Sequence, residues 1–102
     1  GIRRTLYFHP GQLVAVTSVF GRESRRIVST AEIRSISGVG EPGSTRGARE
    51  KYYVLVNLAP YGRYKLDEAF AFEQINREIE GLAGHLRVPW ERCDELVITA
   101  SD

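Results

Sequence analysis

At 102 residues and 11.5 kDa, with 42% apolar and 26% charged residues, the chain holds one domain's worth of foldable sequence, which excludes the low-hydrophobicity, high-charge signature of disorder. Its single cysteine excludes a disulfide framework or a multi-cysteine zinc site within one chain; no apolar run approaches the roughly 18 residues of a membrane span, and no signal peptide opens the sequence. The formal charge of +1 conceals two opposed segments, residues 1–66 with eleven Lys or Arg against four Glu and residues 67–102 with three Arg against nine Asp or Glu. That split fits a basic surface for phosphate-bearing partners, or two segments that attract each other across one core.

Arg3 to Phe8 alternates moderately and Leu13 to Val19 is β-branched and apolar, which predicts two strands broken at His9-Pro10-Gly11. A turn at Phe20-Gly21-Arg22 leads to a third strand, Ser24 to Val28, with Arg25 and Ile27 on one face and Arg26 and Val28 on the other. Ser29 and Glu32 have the spacing of a capping box and predict one short helical turn. Ile33 to Val39 then reads as a strand edge. Residues 38–50, rich in glycine and nearly free of apolar side chains, predict a mobile surface loop.

Lys51 to Leu58 is the strongest strand; Tyr52, Val54, Val56 and Leu58 share one face, while Tyr53 and Leu55 make the other partly apolar, so both faces need cover. Ala59-Pro60-Tyr61-Gly62 has the signature of a type I turn, returning the chain through Arg63 to Leu66 with Tyr64 and Leu66 inward. Asp67 is placed to cap a helix of about 18 residues, whose stripe of Ala69, Phe72, Ile75, Ile79, Leu82 and Leu86 has the 3.6 period. Val88-Pro89 ends it, and the tail to Asp102 carries Trp90 and a short strand from Leu96 to Thr99. Strands in succession followed by one long helix predict an antiparallel α+β domain.

Chemistry-bearing motifs are few. Gly38 to Gly43 matches GxGxxG, but no apolar helix follows, and Arg63 stands where a dinucleotide site wants an acid, so it reads as a flexible loop. His9 and His85 have no partner at metal-ligand spacing, and Cys93 has no base at a spacing that would activate it, so all three read as structural. No catalytic residue, metal or cofactor is expected. The candidate anion-binding set is Arg22, Arg25, Arg26, Lys51, Arg63 and Lys65, with Tyr52, Tyr53, Tyr61 and Tyr64 interleaved. Strand parity divides that set, and a pI of about 8.1 falls short of a strongly basic nucleic-acid binder. The spacing of Arg22 and Arg26, with Ser37 and Gly40 after it, faintly resembles the cyclic-di-GMP signature of PilZ domains, from which Ser35 departs where Asp or Asn is wanted.

The order of elements resembles the bacterial pleckstrin-homology-like domains. Its carriers are Leu13 to Thr17, Arg26 to Val28 leading into Ala31 to Ile33, Tyr53 to Asn57 with the Pro60 to Gly62 turn, and the helix Phe72 to Ile79. The resemblance covers residues 4–86 and implies a bent antiparallel β-roll or half-barrel of about six to seven strands, closed by one C-terminal helix. Residues 87–102 fall outside the family pattern, as a tail that packs elsewhere or serves another domain. Many relatives have no known function; others are protein-binding modules or cytoplasmic parts of membrane proteins. The expectation is therefore a non-enzymatic interaction or regulatory module, partnered by another protein or by adjacent domains of its own chain. The absence of methionine and the start at Gly1 suit a piece of a longer protein or a processed product, and the resemblance implies a cytoplasmic setting, with membrane attachment through segments outside this sequence as one form of it. The alternative is an anion, nucleotide or anionic-lipid binding domain using the Arg22–Arg26 turn.

Overall fold

The computed structural model describes residues 1–43 and 49–96. Three antiparallel strands, β1 (Ile2–His9), β2 (Gln12–Val19) and β3 (Arg22–Ser29), form a meander; β4 (Ile33–Glu41), β5 (Lys51–Leu58) and β6 (Arg63–Ala69) form a second antiparallel sheet. Helix α1 (Phe72–Leu86) follows, and a short strand, β7 (Trp90–Glu91), joins the β4 edge in parallel. The architecture is α+β with open sheets of three and four strands. Among the described residues no helix is long and apolar enough to cross a membrane.

Local chemistry explains the meander. The β2–β3 connection is the two-residue turn Phe20-Gly21, with φ of 49° and 80°. Both central residues in the left-handed region give the twist that a tight hairpin needs, although a bulky residue such as Phe20 adopts that region at a cost. Alternation then sorts the faces. Leu13, Ala15 and Val28 from the first sheet meet Ile33, Ile36, Tyr52, Val54, Val56 and Leu66 from the second, and α1 adds Ile75, Ile79, Leu82 and Ala83. Ile75 and Ile79 are wholly buried, each contributing about 1.5 to 3 kcal/mol as an upper estimate.

Several expectations are corrected. Asp67 does not cap the helix: β6 runs on to Ala69, and α1 begins after Ala71 with no side-chain cap. The helix is therefore 15 residues long, and Ala69 belongs to a strand. Ser29 and Glu32 make no capping box; Thr30–Glu32 is a single 3₁₀ turn without a side-chain cap. The loop after Ile33–Val39 begins later than expected, because Gly38 to Glu41 continue β4 and pair with Lys51 to Val54. In the β5–β6 connection the Leu58 N–H donates to the Gly62 carbonyl at 2.9 Å, and the Ala59–Pro60 peptide is cis. The outer face of β5 is covered by long side chains: the Lys65 ammonium lies 4.1 Å from the Tyr53 ring centre.

The tail belongs to the same core as far as it is described. Asn76 on α1 grips Cys93 at both backbone groups, donating through Nδ2 to its carbonyl and accepting its N–H at Oδ1, each at 3.0 Å. Cys93 is buried, and the Leu96 N–H donates to the Tyr52 hydroxyl at 3.0 Å. Gly38 and Gly40 make room for this strap. A Cβ on Gly38 would stand 2.8 Å from the Cys93 backbone nitrogen, and one on Gly40 would stand 2.9 Å from Leu96 Cγ. The predicted strand Leu96 to Thr99 falls, beyond Leu96, outside the described residues.

Candidate functional site

The six basic residues singled out from the sequence are divided by strand parity. Arg22 and Arg26 are opposite Val19 and Ala15 on the inner face of the first sheet, and Arg25 is opposite Val16 on the outer face. The Arg26 guanidinium stacks 4.4 Å from the centre of the Tyr64 ring on β6. Arg63 and Lys65 lie on the opposite side of β6 from Tyr64, and Arg63 lines a shallow pocket of about 400 Å³ with Arg34, Ser35 and Asn57. Lys51 pairs with Glu41 at the far end of the second sheet and approaches Phe70.

Across the outer face of the first sheet a different pattern appears. Tyr7, Val14 and Ile27 are direct cross-strand neighbours on β1, β2 and β3. Val14 is 6% exposed, yet Tyr7 and Ile27 beside it are 48% and 56% exposed. Three apolar side chains in register thus form a stripe, and Arg25, His9 and Gln12 complete the walls of a shallow depression of about 350 Å³ around it.

The deepest chemistry lies between β1, β6 and α1. Alternation on β1 sends Arg4, Leu6 and Phe8 inward, opposite Thr17, Ala15 and Leu13. On β6 the register breaks: Asp67 is opposite Val54 and Lys65 opposite Leu55, leaving Leu66 without a counterpart. This bulge turns Leu66 and Asp67 to the same side, where strict alternation would have sent Asp67 outward. From α1 come Glu78, Gly81, Leu82 and His85. Together these groups line a cleft of about 380 Å³ whose walls are mostly apolar.

Asp67 Oδ1 accepts the Arg4 Nη1–H at 2.8 Å and also the Glu68 backbone N–H at 2.8 Å. Glu78 is pushed up to about 7, first by desolvation and then by its hydrogen bond to Asp67 and the charge there; Gln74 and Arg4 pull the other way. A carboxyl that shares a proton with another at neutral pH is what two acids in one partly dry cleft produce. At the helix end, the His85 ring sits 4.1 Å from that of Phe8. Arg4 and Asp67 also wall a second cleft, of about 360 Å³, shared with Ile2, Lys51 and Phe70.

Sequence reasoning missed this cleft. Asp67 was assigned to a cap, and a bulge leaves no mark in the periodicity. Glu78 did leave a signal: it stands three residues after Ile75 and four before Leu82, so a carboxylate flanks the apolar stripe on the helix. Cys93 is buried, and burial pushes its thiol up, away from the reactive thiolate. Comparison with known proteins finds no matching family model, no matching curated protein and no matching solved structure.

Proposed function

We propose that the chain is a non-enzymatic interaction and regulatory module, built as a pleckstrin-homology-like roll, that holds a protein partner on the outer face of its three-stranded sheet. The observation that carries this reading is the Tyr7–Val14–Ile27 stripe, which crosses all three strands in register and leaves Tyr7 and Ile27 exposed on either side of the buried Val14. An apolar stripe of this kind, edged by a cation and polar groups, suits a partner that presents an apolar ridge with a carboxylate opposite Arg25. That partner is a separate protein or a neighbouring domain of the same polypeptide. The order of the meander, the second sheet and the C-terminal helix supports the family reading. A non-catalytic role is supported by the state of Cys93, a nucleophile held buried and protonated.

A photo-activated crosslinking residue in place of Ile27, compared in cells with one at the exposed Glu73, tests the reading. The expected result is a discrete adduct from position 27 that Tyr7→Asp removes. Equal labelling from both positions, or an adduct indifferent to Tyr7→Asp, would contradict it.

A further inference from the structure

The 380 Å³ cleft between β1, β6 and α1 plays no part in that docking face, and its walls describe a ligand of their own. Its apolar lining is Leu6, Phe8, Val54, Leu66 and Leu82. Its polar lining holds two carboxyls, one guanidinium and the His85 imidazole. Arg4 and the Glu68 N–H both spend their hydrogen bonds on the same oxygen, Asp67 Oδ1. Asp67 and Glu78 are hydrogen-bonded to each other, so against two acids the cleft sets one guanidinium and, at neutral pH, a partly held proton.

We propose that this cleft binds a small organic amine, its ammonium bridging Asp67 and Glu78 and its apolar body lying against Leu6, Phe8 and Leu82. The ammonium takes the place of whatever proton the two acids share at the working pH. The groups facing Glu78 are Arg4 from β1, Asp67 from β6 and His85 on its own helix. Arg4 stays on Asp67 Oδ1 throughout, which sets an anion at a disadvantage here despite the guanidinium. Because Glu78 titrates near 7, binding at neutral pH releases a fraction of a proton, and acidification competes with the amine.

Phenethylamine is the probe, with 2-phenylethanol and 3-phenylpropionate as its neutral and anionic counterparts, followed by amide chemical shifts of the whole chain. At pH 7.5 the amine is expected to move signals of Leu6, Phe8 and Leu82 saturably, with affinity about 25-fold weaker at pH 5.5. Calorimetry in two buffers of different ionisation enthalpy should show proton release. Glu78→Gln, which keeps the shape and a hydrogen bond to Asp67, should weaken binding about tenfold while the fold persists. Gly81→Leu tests the cavity apart from the acids: the position lines the cleft, a Cβ there meets nothing within 4 Å, and the added side chain should block the amine. No saturable shift at about 10 mM amine, equal binding by Glu78→Gln, or tighter binding of 3-phenylpropionate would each overturn the proposal.

Discussion

Gly38 shows how much can turn on one missing methyl group. Its place in a GxGxxG string with no apolar helix after it reads as a flexible loop, yet the hydrogen at its Cα faces Cys93 and Ile79 across van der Waals distance. Alanine there would drive a Cβ to 2.8 Å from the Cys93 backbone nitrogen, its Cβ and Ile79 Cδ1, two of which belong to a strap that Asn76 holds in place. Gly38→Ala should therefore cost about 2 to 3 kcal/mol and lower Tm by roughly 10 °C or more, read by thermal melting. A variant that melts like the parent would mean that the strap does not sit over β4. The glycine itself was visible in the sequence, but its reason was not, because the reason is a segment more than fifty residues away.

At the scale of elements, one side chain fastens the Cys93 part of the tail, between the β7–β4 pairing and the Leu96–Tyr52 hydrogen bond. Asn76 acts as a short edge strand would, giving one donor and one acceptor to the Cys93 backbone. Asn76→Ala leaves both groups unpaired and should cost about 1 to 3 kcal/mol. Amide hydrogen exchange provides the specific readout: Trp90 to Leu96 should lose protection, whereas the β1–β2–β3 meander should not. Uniform loss across both sheets would contradict a local strap.

Much of this level was legible beforehand. The strands expected at Arg3 to Phe8, Leu13 to Val19 and Lys51 to Leu58 reappear as β1, β2 and β5 with ends moved by at most one residue, because alternation and β-branching are local signals. The start of α1 was misplaced for an equally physical reason. Asp67-Glu68-Ala69 has the composition of a helix cap and first turn, but pairing with Tyr52 to Val54 holds it in the sheet. The candidate site depends on that misplacement: with Asp67 on β6 rather than at a cap, the bulge can aim it at Glu78.

For the whole molecule, opposed charge between the two halves of the sequence is expressed at the seam between the sheets. The Arg4–Asp67 ion pair joins the first strand to the sixth, and Arg26 reaches across to Tyr64. Glu78 makes this seam sensitive to pH. Its carboxyl titrates higher folded than unfolded, about 7 against 4.5, so the folded chain holds the proton more tightly. Stability gained from that proton is fully present below about pH 4.5 and is lost as pH rises through 7. After discounting for its partial exposure, the loss amounts to about 1 to 2 kcal/mol. Denaturation of Glu78→Gln against the parent should thus show the variant gaining relative stability from pH 5 to pH 8, with no further gain above; a constant difference across that range would contradict the assignment.

The cleft, its pH dependence and its amine all require that the β6 bulge turn Asp67 toward Glu78 in a partly dry space. A carbon-detected titration of the Glu78 side-chain carboxyl measures that arrangement without reference to any ligand. The account predicts a midpoint near 7 that falls when Asp67 is replaced by Asn. A midpoint at the ordinary glutamate value, unmoved by Asp67→Asn, would mean that the two carboxyls do not meet.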